Sequence, residues 1–384
     1  MVCEPNSKIE VIMKRHRLTI AGSICLAAMV WLGAPQRTTG QASASRRPEF
    51  AYSVDQSSNT VLGFKVATSG ALTPLTKASF ATGTAPNGVA VDPTGRFVYV
   101  ANLLSNNVSG YAIAVNGTLT PVPGSPFAAG SGPGWITVDP TGRFVYVANC
   151  AALCSGSGTG NVSGYAINKS TGALTPVPGS PFTADNIPYA VTIDPTGQFA
   201  YVANFNSATV SVFKIDQCSG SLWASSKSVP TGGQNAIALA LDPHGRFLYV
   251  TNTASDNVSA FQVGSDGSLT AVAGSPFASG DSTQGLTFDP SGDFVYVSQG
   301  FNVLGYSVGT NGELALLAGS PYAAPGFLVS LTTDRSGHYV YAGAEGAGIA
   351  AYKIDEVSGN LTPVSGSPFT AGADAVFVTT TIGR

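Results

Sequence analysis

The sequence predicts an all-β fold, a seven-bladed propeller of four-stranded antiparallel blades, and three observations predict it. The first is a phrase, Asp92-Pro-Thr-Gly-Arg-Phe-Val-Tyr-Val-Ala-Asn102, that returns at 139–149, 194–204 and 242–252, with looser copies at 289–299 and 334–344. Aligned on the aromatic that follows the turn, the copies fall at Phe50, Phe97, Phe144, Phe199, Phe247, Phe294 and Tyr339, spaced by 47, 47, 55, 48, 47 and 45 residues. A period in the forties with several strand-like runs per unit is the mark of a propeller. The second is a glycine at one turn in all seven units: Gly70, Gly117, Gly172, Gly220, Gly267, Gly312 and Gly359. The third is that the two ends complement each other. The first unit starts at its second strand, Phe50–Val54, and the last segment, Ala375–Thr381, reads as an unaccompanied first strand.

Each blade is justified strand by strand. Strand one is the run before the turn, Gly88–Val91, whose alternation of small and large residues suits a crowded axis. Asp-Pro-Thr-Gly then makes a type I turn, with Pro second and Gly fourth. Strand two is Phe97–Val100 and strand three Val108–Ile113. The recurrent glycine between strands three and four reads as a turn position with positive φ. Strand four is Leu119-Thr-Pro-Val-Pro-Gly-Ser-Pro-Phe127, and its prolines confine it to the outer edge, where they also blunt pairing with other chains. The carboxy-terminal strand then completes the amino-terminal blade and closes the ring at seven.

These phrases carry a resemblance. Tyr-Val-Ala-Asn resembles the YVTN-type propeller repeat. The longer combination of Asp-Pro-x-Gly-Arg-Phe with Gly-x-Leu-Thr-Pro-Val-x-Gly-Ser-Pro-Phe is similar to the seven-bladed lactonase-like family, which includes 6-phosphogluconolactonases and muconate-lactonising cycloisomerases. The resemblance spans residues 49–381, and every matching residue is a turn or packing residue. It implies the fold strongly and a lactone-directed activity only weakly.

Ahead of the repeats, Lys14-Arg15-His16-Arg17, the apolar stretch 18–33 and Ala42-Ser43-Ala44 read as a cleavable signal peptide over residues 1–44, with Met13 a plausible true start. An uncleaved anchor is the alternative. Residues 45–384 are then a single propeller domain, exported to the periplasm or beyond the cell, without an integral membrane span. Removing residues 1–44 takes away five of the 18 basic and two of the 21 acidic residues and leaves a net charge of −6. That balance argues against nucleic acid as a partner. A small molecule, a glycan or a protein is the expected ligand, and a monomer the expected state.

The resemblance implies that the four-to-one and two-to-three connections share the face that holds a ligand, and the one-to-two and three-to-four turns the opposite one. His244 and His338 fall in one-to-two turns on the opposite side, so no imidazole is available there for proton transfer or zinc. Arg96, Arg143, Arg246 and Arg335 lie on that opposite side too. The ligand-face segments contain no Lys or Arg, which makes a phosphorylated substrate a poor fit. Catalytic candidates are carboxylates, Asp281, Asp374 and Glu345. Ligand-binding candidates are Asn87, Trp135, Asp185, Tyr189, Asn235, Gln284 and Phe327. Trp135 and Tyr189 stand four and five residues before their turn aspartates, which would aim them to different sides of their strands. No cofactor is implied, and Ca²⁺ would be the metal if these carboxylates held one. Cys150 and Cys154 bracket a short insertion and are candidates for a disulfide, whereas Cys218, in a turn on the far side, is expected to be unpaired. The sequence thus reads as an exported binding or scaffold module with an acidic, aromatic-edged face. The alternative is a lactonase-type hydrolase that works through carboxylates on a neutral lactone or sugar-derived substrate.

Overall fold

A computed structural model describes residues 49–151, 159–225, 228–372 and 374–381. Seven antiparallel sheets follow one another along the chain, and in all but the first the strands are ordered as they come in sequence. Blade 2 is representative, with Pro86–Val91 innermost, then Phe97–Asn102, Asn107–Ile113 and an outer strand. Blade 1 is assembled from both ends of the ring. Ala375–Thr380 pairs with Glu49–Asp55 as its innermost strand, as the complementary ends predicted. No helix among the described residues is long and apolar enough to cross a membrane.

The outer strand departs from expectation. It is not one run through Phe127 but two short pieces, Leu119–Pro121 and Phe127–Ala128, both paired with Asn107–Ile113. Gly124, at φ 83°, and the cis Ser125–Pro126 bond turn the chain away between them. The serine hydroxyl then accepts the strand-three N–H left without a partner. Gly110 N donates to Ser125 Oγ (2.9 Å), Gly164 N to Ser180 Oγ (2.9 Å) and Ala260 N to Ser275 Oγ (2.8 Å). The Gly-Ser-Pro phrase is therefore a built interruption that leaves no buried donor unsatisfied. Blade 1 lacks the phrase, and its outer strand Leu72–Ala81 runs unbroken for 10 residues.

The repeated Asp-Pro-x-Gly turn closes as a type I turn, with Gly95 N on Asp92 O (2.9 Å). The aspartate does more than start it. Asp92 Oδ1 accepts from Arg96 N (2.6 Å) and Phe97 N (2.7 Å), and Oδ2 accepts from Thr94 N (3.0 Å). Each turn aspartate is buried because its carboxylate is saturated by its own turn.

Neighbouring blades are stitched by the Phe-x-Tyr of strand two. Tyr52, Tyr99, Tyr146, Tyr201, Tyr249, Tyr296 and Tyr341 each donate to a carbonyl in the next blade. The acceptors are Gly117, Gly172, Gly220, Gly267, Gly312, Gly359 and, across the closure, Gly70, at 2.7–3.2 Å. Burial raises these phenols, so each stays a donor at any ordinary pH. Seven hydrophobic clusters lie beneath these bonds, one at each blade–blade interface.

Glu49 sits at the closure with its Oε1 buried and unpartnered. Burial, and then the nearby Asp334 charge, push its carboxyl up to about 7, while Arg335 opposes them. An acid whose folded pKa lies above its unfolded value supports the fold below the lower pKa. That support is lost as pH rises through the upper one. Glu49→Gln is therefore expected to match the parent near pH 4.5 and to melt about 2 °C higher near pH 8, a small shift because the group is partly solvated. Calorimetry at both pH values checks this, and an equal difference at each would remove Glu49 as the cause.

Candidate functional site

Backbone bonds confirm how the loops divide between faces. Two-to-three loops bond to four-to-one segments, as in Leu103 N to Ala85 O (2.9 Å), Phe205 N to Ile187 O (2.8 Å) and Thr253 N to Asn235 O (3.0 Å). One-to-two turns meet three-to-four turns on the other side, where Arg96 Nη1 donates to Lys169 O at 2.8 Å. His338 belongs to that second side, with Nε2 3.3 Å from Glu356 Oε1.

On the first face, four consecutive blades join in one polar chain at the entrance of the innermost strands. Gln56 Nε2 of blade 1 donates to Asn87 Oδ1 of blade 2 (2.9 Å), and Asn87 Nδ2 donates to Gly134 O of blade 3 (3.1 Å). Tyr189 of blade 4 completes it. Burial pushes its phenol up, and an interaction with the Asn87 amide acts in the opposite direction. Gly134 lies between the two, where a Cβ would sit at ordinary contact distance, 3.6 Å from Tyr189 O and 3.7 Å from Asn87 Nδ2. Tyr189 also meets Phe205, with ring centroids 5.9 Å apart.

Trp135 lies at the axis. Its ring packs against the clusters of the blade 1–2, 3–4, 4–5 and 5–6 interfaces, a reach only an axial side chain has. It meets Phe377 of the closing strand edge-on, at 5.0 Å and 89°. In the register of the innermost strands these two occupy the column held elsewhere by Gly88, Ala190, Ala238, Gly285 and Ser330. A bulge near the start of this strand shifts the register in blades 3 and 4. Trp135 lies on the turn side of its bulge and pairs with Ala148, whereas Tyr189 is itself the extra residue between Pro188 and Ala190. Counting back from the turn therefore fixes the side of Trp135 but not that of Tyr189.

The other sequence candidates, Asp374 excepted, stand apart from this group. Gln284 Nε2 donates to Thr253 Oγ1 (3.3 Å). Asn235 adopts φ 58° and serves the loop through its backbone carbonyl. Phe327 stacks edge-on with the exposed Phe301 at 5.9 Å. Asp185 lies in Phe182–Asn186, an outer strand piece, and accepts from Thr209 Oγ1 at 3.0 Å in a cleft of ≈ 210 Å³ away from the axis. Asp281 is exposed in a loop and Glu345 at the end of the strand Tyr339–Glu345, and Asp374 is half-buried, its backbone oxygen accepting from Gln56 N (3.3 Å). Among the described residues no group of three or more His, Cys, Asp and Glu side chains has a geometry that could hold a metal ion.

Gln56 and Phe377 were not singled out from the sequence. Laying the innermost strands in one column would have exposed Phe377 as the second bulky residue in a small-residue column. Asp55 takes the place that Asn102, Asn149, Asn204 and Asn252 hold at the end of strand two. Burial alone would raise its carboxyl, but hydrogen bonds from Ser57 and Ser58 hold it below the ordinary range. Cys150 is disulfide-bonded, and Cys154 lies outside the described residues. Cys218 is also disulfide-bonded, which corrects the expectation that it is unpaired.

Comparison with known proteins agrees with this architecture. The family model described as lactonase, 7-bladed beta-propeller matches residues 34–239 and 230–329. No curated protein matches the chain. Among solved structures, a candidate 6-phosphogluconolactonase from Bacteroides fragilis NCTC 9343 superposes with a TM-score of 0.74 at 19% identity, covering 88% of this chain and 99% of that one. A counterpart from Bacteroides uniformis ATCC 8492 gives 0.73 at 20%, covering 87% and 99%. The periplasmic gluconolactonase of Pseudomonas aeruginosa gives 0.72 at 16%, covering 88% and 99%. At such identities the likeness establishes a shared fold.

Proposed function

Because the chain belongs to the seven-bladed β-propeller lactonase family, we propose that it is an exported propeller that binds a small, neutral, hydroxylated ring, a lactone or sugar, on its first face. The observation that carries this reading is the Gln56–Asn87–Tyr189 group beside the Trp135–Phe377 pair. Two amides and a phenol offer donors and acceptors for ring oxygens, and the aromatic pair offers an apolar surface for the ring itself. The face's loop segments carry no Lys or Arg, so a phosphate would go uncompensated. The Pseudomonas neighbour, described as a gluconolactonase, supports the same ligand class.

Family membership favours a second reading, in which the site also hydrolyses its lactone. Asp281, Asp374 and Glu345 stay the candidates for acid–base work in that case. Titration calorimetry with δ-gluconolactone, paired with a pH-stat assay against the spontaneous rate, separates the two. Saturable binding weakened about tenfold by Asn87→Ala, the loss of roughly one well-made hydrogen bond, is expected without turnover. Turnover abolished by Asp281→Asn would replace the binding reading with the hydrolase.

A further inference from the structure

The residue just before the strand-two aromatic is Arg96 in blade 2, Arg143 in blade 3, Gln198 in blade 4 and Arg246 in blade 5. Arg96 and Arg143 reach over to the next blade. Arg96 Nη1 donates to Lys169 O (2.8 Å), while Arg143 donates to Gln217 O (2.5 Å) and Gln217 Oε1 (3.1 Å). Each guanidinium also lies 5.0 Å from the ring of the phenylalanine that follows it. These arginines close the seam between blades on the second face.

Both links are missing around blade 5. Gln198 is shorter and makes no side-chain hydrogen bond among the described residues. Arg246 folds back onto its own turn, with Nε 3.0 Å from Asp242 Oδ2, and makes no bond to blade 6. What opens is a cleft of ≈ 560 Å³ reaching from Gln198 and Phe199 past Arg246 and Gln262 to Ser265 and Thr310. Its size suits a small ligand.

The charges around it select the ligand class. Arg246 is neutralised by Asp242. Asp194, in the wall, is occupied by its own turn, with Thr196 N at 3.1 Å and Phe199 N at 2.6 Å. Asp266 stands in the same turn as Ser265. No net positive charge remains to attract an anion. Two amides, two hydroxyls and a guanidinium, arranged beside phenylalanine rings, instead match the alternating hydroxyl and C–H faces of a sugar. We propose that this cleft, on the face opposite the lactone site, is a second binding site for a neutral saccharide.

Gln198→Arg tests it by restoring the repeat. The new guanidinium is expected to reach the Ser265 carbonyl as Arg143 reaches Gln217, filling the cleft while holding or raising the melting temperature. Saturation-transfer NMR on the mature protein, with cellobiose, maltose and methyl α-mannoside as probes and gluconate as the charged comparator, gives the readout. With the first-face site weakened by Asn87→Ala, transfer to at least one neutral probe is expected to persist, and to fall about tenfold when Gln198→Arg or Gln262→Ala is added to that background. No transfer at about 10 mM probe, transfer that survives both cleft variants, or transfer to gluconate alone would each overturn the proposal.

Discussion

Alanine at Gly220 should destabilise the ring by about 3 kcal/mol, from two costs that add at one atom. Gly220 holds φ 78°, in the left-handed region that L side chains rarely adopt. A Cβ there would also lie 2.4 Å from Phe144 Cδ1 and 3.0 Å from Val177 Cγ1. Neither neighbour can yield, because Phe144 and Val177 are buried in the blade 3–4 cluster. Gly346→Ala is the control. Its φ is 72°, but a Cβ there would meet nothing within 4 Å, so only the backbone cost of about 1 kcal/mol applies. Tyr146→Phe probes the hydrogen bond to the same glycine and should cost about 1–2 kcal/mol, since it leaves the Gly220 carbonyl without its buried donor. Denaturant titration of the three variants should rank them Gly220→Ala, Tyr146→Phe, Gly346→Ala. An equal loss in both glycine variants would mean that backbone conformation alone explains the repeated glycine, and that the phenylalanine contact is incidental.

That ranking also shows why the fold was legible and the site was not. A propeller demands the same backbone conformation at the same place in every blade, so turn aspartate, turn glycine and stitching tyrosine appear seven times or nearly so. Repetition exposed them even where their roles went unread. The repeat reads the glycine as a positive-φ position, but its contact with the preceding blade's aromatic depends on packing across a distance no local pattern reports. The serine of Gly-Ser-Pro was likewise visible without its role as a substitute acceptor. Site residues have the opposite character. Gln56, Asn87, Trp135, Tyr189 and Phe377 each occur once, on different blades, and only ring closure brings Phe377, far along the chain, against Trp135. Asp185 is close to Tyr189 in sequence, yet it belongs to an outer strand piece and Tyr189 to an innermost strand, and its carboxylate is taken by Thr209 rather than by the Asn87–Tyr189 group.

Trp135→Ala is expected to cost about 3 kcal/mol and to abolish ligand binding together with it. Loss of a buried tryptophan ring commonly costs 3–5 kcal/mol, and the lower end applies because Trp135 is only partly shielded from solvent. The loss is large because the ring is shared. It packs against four of the seven interface clusters and against Phe377, and its removal leaves a void on the axis that rigid innermost strands cannot collapse to fill. Trp135→Phe keeps an aromatic edge for Phe377 and should recover more than half of the stability. A tryptophan that merely edged a ligand site would behave otherwise, with binding lost and the melting temperature unmoved. Differential scanning calorimetry and titration with δ-gluconolactone on the same two variants distinguish these cases. A stable Trp135→Ala protein that no longer binds would move Trp135 from the axis of the ring to the rim of its site.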